Sequence, residues 1–299
     1  MVCGSGIAAC GGSNDTAATT ISNRPPPTAE TFTAPVAATL VVEKDIATQT
    51  DTAYSLDWTA DGETLAVASG VEVTLLSKDL GGPIAVFQPT GGALAAAWSA
   101  EGTNIATVGG LKNSSVEIWD WDSPSATFPK SQQFSADSDQ YAVSWSPDGT
   151  RLATLADDRT TSIQIWDTST WTLVHQFDLA YANPRRALNW SADGQEINDA
   201  GELNGQVVYF SMNVTNGSVQ ELGVLPIEDA YAVTFSPDLH RIAAADESGN
   251  VQILDIATGD LLAEFRSVNT PADLAWNPKN STLAILGYDT ALQLWSIAL

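Results

Sequence analysis

Val143-Ser144-Trp145-Ser146-Pro147-Asp148-Gly149, followed by Arg151-Leu152-Ala153-Thr154-Leu155 and Ile163-Gln164-Ile165-Trp166-Asp167, decides the fold of this chain. Apolar residues alternate with small polar ones up to Trp145, which is the period-2 pattern of a strand packed between two layers. Asp148-Gly149 then predicts a tight turn: the carboxylate accepts nearby backbone N–H groups and glycine takes the positive φ. Arg151–Leu155 reads as the returning strand, Ile163–Asp167 as a third, and Leu173-Val174-His175-Gln176-Phe177 as a fourth. The unit is a four-stranded antiparallel sheet.

The same unit recurs along the chain. Leu56-Asp57-Trp58-Thr59-Ala60-Asp61-Gly62, Ala96-Ala97-Trp98-Ser99-Ala100-Glu101-Gly102 and Leu188-Asn189-Trp190-Ser191-Ala192-Asp193-Gly194 align with it. Val233-Thr234-Phe235-Ser236-Pro237-Asp238-Leu239 and Leu274-Ala275-Trp276-Asn277-Pro278-Lys279-Asn280 complete the set. The aromatic positions 58, 98, 145, 190, 235 and 276 are 40, 47, 45, 45 and 41 residues apart. A unit of this size cannot bury both faces alone, so the six must stack around an axis.

These residues resemble the WD-repeat β-propeller family. Ile118-Trp119-Asp120 and Ile165-Trp166-Asp167 end the third strand on the dipeptide that names it, with weaker forms at Leu75-Leu76-Ser77, Phe210-Ser211, Leu254-Asp255 and Trp295-Ser296. The resemblance implies an all-β, six-bladed propeller of four-stranded antiparallel blades over residues 36–299. The Gly-His pair that opens many family repeats is absent, so turn acids such as Asp158, Asp246 and Asp289 lack their usual partner. The last repeat stops at Leu299 after its third strand, and residues 39–48 read as a spare outer strand. Pairing the two closes the ring and removes an exposed edge.

Ahead of the repeats, residues 1–35 read as a leader and a Thr/Ala/Pro-rich linker too poor in apolar residues to fold. Ile7-Ala8-Ala9-Cys10 resembles the end of a bacterial lipoprotein signal peptide, which makes Cys10 the expected acylated residue. The basic and apolar regions that should precede it are missing from MVCGSG; a start upstream of Met1 would supply them. The resulting expectation is an extracytoplasmic propeller, lipid-anchored at the bacterial cell envelope, with a cytoplasmic scaffold as the alternative.

Composition narrows the chemistry. With 12 basic and 36 acidic residues the net charge is −24, which opposes any broad contact with a phosphate backbone, so no nucleic acid is expected as partner. Two His and two Cys build no zinc site and no disulfide framework. His175 and His240 fall in different repeats, without a Ser and an acid at recognisable spacing. Asp61, Asp148, Asp193 and Asp238 recur as turn formers. Asp122, Asp137 and Asp139 match no calcium loop. Eight of the ten Trp fill two repeated strand slots and read as core; Trp121 and Trp171 fall outside them.

One surface stands out. In the resembled family the innermost strand begins beside the central channel, four residues before the repeated aromatic. That slot holds Tyr54, Leu94, Tyr141, Arg186, Tyr231 and Ala272, and Arg185-Arg186 is the conspicuous basic pair of an acidic chain. Tyr and Arg dominate protein-recognition hot spots. The reading is a non-catalytic, monomeric scaffold without cofactor or metal, binding other proteins through Tyr54, Tyr141, Arg185, Arg186 and Tyr231. The rival is a small-ligand, metal or enzymatic propeller using its channel.

Overall fold

Each repeated aromatic runs into a turn that closes itself with side-chain hydrogen bonds. The hydroxyls of Thr59, Ser146, Ser191 and Ser236 donate to Asp61, Asp148, Asp193 and Asp238 at 2.6, 2.6, 2.7 and 2.6 Å. The same carboxylates accept the N–H two residues on, at 3.0–3.1 Å. Gly62, Gly102, Gly149 and Gly194 take φ of 67–71°, and Leu239 holds the equivalent place at φ 57°. Serine, aspartate and glycine are thus required by the turn itself.

The computed structural model describes residues 37–45, 52–109, 114–122, 125–136, 138–157, 160–227, 229–267 and 270–298. The proposed leader and Cys10 lie outside them, as do Asp137 and Asp158. The strands form six four-stranded antiparallel sheets. Blades 1 to 5 occupy residues 55–87, 95–135, 140–178, 189–224 and 230–266 in chain order. Blade 6 takes three strands from residues 271–297 and its outer strand, Ala38–Asp45, from the other end of the sequence. Ala38 pairs with Ile297 and Asp45 with Ala291. The expected six-bladed ring is therefore closed as anticipated, with the closing strand starting and ending slightly earlier than residues 39–48.

Six apolar clusters lie one at each junction between neighbouring blades, including blade 6 against blade 1. Each repeated aromatic packs against the preceding blade: Trp98 against Ala66 and Leu75, Trp190 against Ala153 and Ile163, Trp276 against Ala243 and Ile253. Truncating such a Trp to Ala costs about 3–5 kcal/mol. The Trp of the third strand is tied within its blade, Trp119 Nε1 donating to Thr107 Oγ1 at 3.2 Å and Trp166 Nε1 to Thr154 Oγ1 at 3.0 Å. Trp121 stacks on Phe128, and Trp171 meets Phe134 and Trp145. Both extend the core from outside the repeated slots.

The inner strands run from one face of the ring to the other. They are Ser55–Trp58, Ala95–Trp98, Gln140–Trp145, Asn189–Trp190, Ala230–Phe235 and Pro271–Trp276. They end at the repeated turns, Asp-Gly in blades 1, 3 and 4, which define a turn face, and begin at the opposite mouth face. Blade 4 departs from the pattern, its inner strand being only two residues long. Asn183 and Arg186 both sit at positive φ (46° and 59°), and Asp199 Oδ1 accepts the N–H of Ala187 at 3.0 Å. The upper half of that strand is therefore a loop, and it carries Arg185 and Arg186.

Candidate functional site

The mouth face gathers most of the residues expected there. A cavity of about 300 Å³ is lined by Tyr141, Asn183, Pro184, Arg185, Arg186, Tyr231, Ala272 and Tyr288. The Arg186 guanidinium lies over the Tyr141 ring, 5.4 Å from its centroid. Tyr54, Tyr288 and Tyr231 form an edge-to-face chain with centroids 5.9 and 5.7 Å apart. Burial and the neighbouring Tyr231 hydroxyl push the Tyr288 phenol above its ordinary value, so its proton stays on. Tyr231 is the most open of the group, 42% exposed. Leu94, by contrast, is buried and belongs to the core.

Arg185 and Arg186 do not act as a pair. Arg185 also lines a second cleft of about 520 Å³ with Glu202, Val207, Val224, Ile227 and Asp229. Burial lowers its guanidinium pKa, opposed by the charges of Glu202 and Asp229, and its Nε is buried without a hydrogen-bond partner. Arg186, one residue on at left-handed φ, turns to the channel instead. A non-glycine residue at positive φ carries a conformational cost that the surroundings must hold in place.

Tyr288 was not singled out by the repeat arithmetic. It lies between the strands Thr282–Gly287 and Ala291–Ile297, in a connection whose length varies from blade to blade. Two other residues missed from sequence are Asp57 and Asp273, which line the channel beneath the mouth in a cavity of about 250 Å³. Asp57 accepts the N–H of Trp98 in the next blade at 2.6 Å, and Asp273 that of Leu56 at 2.7 Å. Desolvation inside the ring pushes both carboxyls up to about 7 against those hydrogen bonds. Their signal was an acid inside an otherwise apolar or uncharged inner strand: the residue before the repeated aromatic is Asp57 in blade 1 but Ala97, Ser144, Asn189, Thr234 and Ala275 elsewhere. They join blade 1 to blade 2 and blade 6 to blade 1, adding hydrogen bonds to the apolar packing at those junctions.

The remaining polar candidates are structural. His175 and His240 are exposed on an outer strand and a turn, and His240 Nδ1 lies 3.5 Å from Asp238. Asp139 accepts the Ser114 hydroxyl at 2.9 Å and Asp122 that of Ser125. Among the described residues no three His, Cys, Asp or Glu side chains converge on a metal-sized site, and no helix is long and apolar enough to cross a membrane.

Residues 128–167, which comprise the outer strand of blade 2 and the first three strands of blade 3, match the family model "WD domain, G-beta repeat". This segment is similar to a WD40 repeat. The sheet order and the six junctions repeat the same four-stranded plan around the whole ring. The β-propeller domain of Cps50 (Swd1) from Myceliophteria thermophila superimposes with a TM-score of 0.64, covering 86% of this chain and all of that one at 12% identity. That likeness bears on the fold alone. No curated protein sequence matches the chain.

Proposed function

We propose that this WD40-repeat propeller is a non-catalytic recognition platform that binds other proteins at its channel mouth. The carrying observation is that Tyr54, Tyr141, Arg186, Tyr231 and Tyr288, from five blades, converge on one opening. Aromatic and Arg anchors around a concavity supply most of the affinity in protein interfaces. Arg185 flanks the opening and extends it toward the cleft of blade 4. A rigid ring holds these anchors in place, so little ordering cost is left for association. The acidic surface directs the ring away from nucleic acid.

A lipid tether at Cys10 is part of this reading, and the closing strand gives the side on which it would join the ring. Ile297 N donates to Ser281 O at 2.9 Å beside the turn of blade 6, and Ala298 N donates to Ala37 O at 3.1 Å. The chain therefore enters blade 6 on the turn face. With Cys10 acylated, the segment up to Ala37 would attach to the ring on that face, opposite the mouth. A lipid mass on Cys10 is the expected finding by mass spectrometry; an unmodified Cys10 in the mature protein removes the anchor.

The mouth itself is tested by selecting a random peptide display library on the full chain and rebinding the selected peptides to the Arg186→Ala/Tyr231→Ala double variant. Binding is expected to fall at least about tenfold, as for the loss of an interface hot spot. Equal binding would place recognition elsewhere.

A further inference from the structure

We propose that the mouth recognises a single carboxylate of its partner, gripped by Arg186; this rests on the mouth being the recognition site and names the chemistry it reads.

Arg186 is a half-buried cation with no ion pair and no side-chain hydrogen bond among the described residues. Leaving a guanidinium so in a chain of −24, where acids outnumber bases three to one, is unusual. Its neighbours explain what it can still do. The contact with the Tyr141 ring, 5.4 Å from its centroid, is a cation–π contact that occupies no carboxylate or carbonyl acceptor and leaves the forked N–H donors available. Those donors match a carboxylate bidentately. Tyr231 and Tyr288 line the same cavity, and their paired hydroxyls leave one O–H to donate to a bound oxyanion. The left-handed backbone at Arg186 aims the side chain at the channel rather than toward Glu202 and Asp229, where Arg185 goes.

Size and charge select among oxyanions. A cavity of about 300 Å³ takes one side chain or one chain end, not a folded surface. A carboxylate balances the single guanidinium of Arg186 one to one, whereas a phosphate dianion would leave a net negative charge in the cavity of an already acidic protein. The overall charge repels a uniformly acidic segment. The fitting partner therefore presents one Asp, Glu or terminal carboxylate in a neutral or basic stretch.

The experiment uses the peptides selected on the full chain. Each is resynthesised in four forms: parent, Glu→Gln or Asp→Asn, C-terminal amide, and phosphoserine in place of the acid. Affinities are measured for wild type, Arg186→Ala, Arg186→Lys and Tyr231→Ala. The expected result is a 10- to 100-fold loss when either the peptide carboxylate or Arg186 is removed, the range of a charge-assisted hydrogen bond. Removing both should cost no more than removing one, and Lys should restore little. Loss in the amide arm identifies a terminal carboxylate; loss in the Gln or Asn arm identifies a side chain. Tighter binding of the phosphoserine form, or peptides indifferent to all of these changes, overturns the carboxylate. If binding ignores Arg186 but falls with Tyr231→Ala, the mouth stands and this inference fails. If neither variant matters, both readings fail together.

Discussion

The two faces of the ring are built on opposite rules. On the turn face, four blades use the same Ser/Thr–Asp arrangement with oxygen distances within 0.1 Å of one another, and each donor and acceptor finds its partner inside the turn. On the mouth face the slot is mixed: Tyr54, Tyr141 and Tyr231 fill it in three blades, and Leu94, Arg186 and Ala272 in the other three. There Arg185 Nε is unpartnered and Arg186 sits at positive φ. Residues that repeat are committed to making the blade. Local rules are broken where residues differ, and that is where function is expected in a propeller.

The comparison can be broken by mutation, beginning with the strand that joins both faces. Deleting residues 38–45 removes the outer strand of blade 6 and exposes the edge of Ala291–Ile297. Because each kcal/mol moves Tm by about 2–4 °C at this size, a fall of at least about 10 °C with aggregation is expected by calorimetry. A ring that melts normally would mean the closure is dispensable.

Asp57 tests the channel between the faces. Its carboxyl is raised to about 7 in the folded ring from 3.8. The folded state therefore holds the proton where the unfolded chain has released it. That contribution to stability is full below about pH 4 and lost as pH rises through 7. Asp57→Asn keeps an acceptor for Trp98 N without the charge, so its Tm should exceed wild type at pH 8 by several degrees, by less at pH 5, and converge with it only below about pH 4. A constant difference across that range would refute the buried charge.

Smaller effects belong to single turns. Asp148 is held down to about 2, first by the Ser146 hydroxyl and then by Thr150 N–H. Asp148→Ala should cost about 1 kcal/mol in urea unfolding, the net worth of such bonds, and leave peptide affinity unchanged. Lost affinity would bring the turn face into recognition. At Leu239 the sign reverses: φ is 57° where four other turns have glycine, so Leu239→Gly should stabilise by roughly 0.5–1 kcal/mol. A loss would show that the Leu239 side chain, packed against the blade 4–5 cluster, outweighs its backbone strain.

How much of this was legible in sequence follows the same division. Trp145 and Asp148-Gly149 announced their places because strand alternation and turn chemistry are local, and six copies made the period plain. Counting back four residues from each aromatic reached Tyr54, Tyr141, Arg186 and Tyr231 for the same reason. Tyr288 was out of reach because its loop has no register to count from. Arg185 and Arg186 read as one basic pair because the sequence shows their adjacency and not where each side chain goes. Both line the mouth cavity, and Arg185 also reaches the cleft of blade 4 because the segment there is a loop, with Arg186 at positive φ and Ala187 N held by Asp199. Asp57 and Asp273 were visible as acids inside inner strands, yet their cross-blade bonds depend on which strand lies beside which.

The central claim is that the mouth recognises and the turn face supports. Its most direct test is to measure Tm and affinity together on Arg186→Ala/Tyr231→Ala, using a peptide selected on the wild-type chain. The account predicts a Tm within about 3 °C of wild type, since a net change under 1 kcal/mol is expected for half-exposed side chains, and an affinity at least about tenfold weaker. Unchanged affinity, or a fall in Tm large enough to explain the loss, would contradict it.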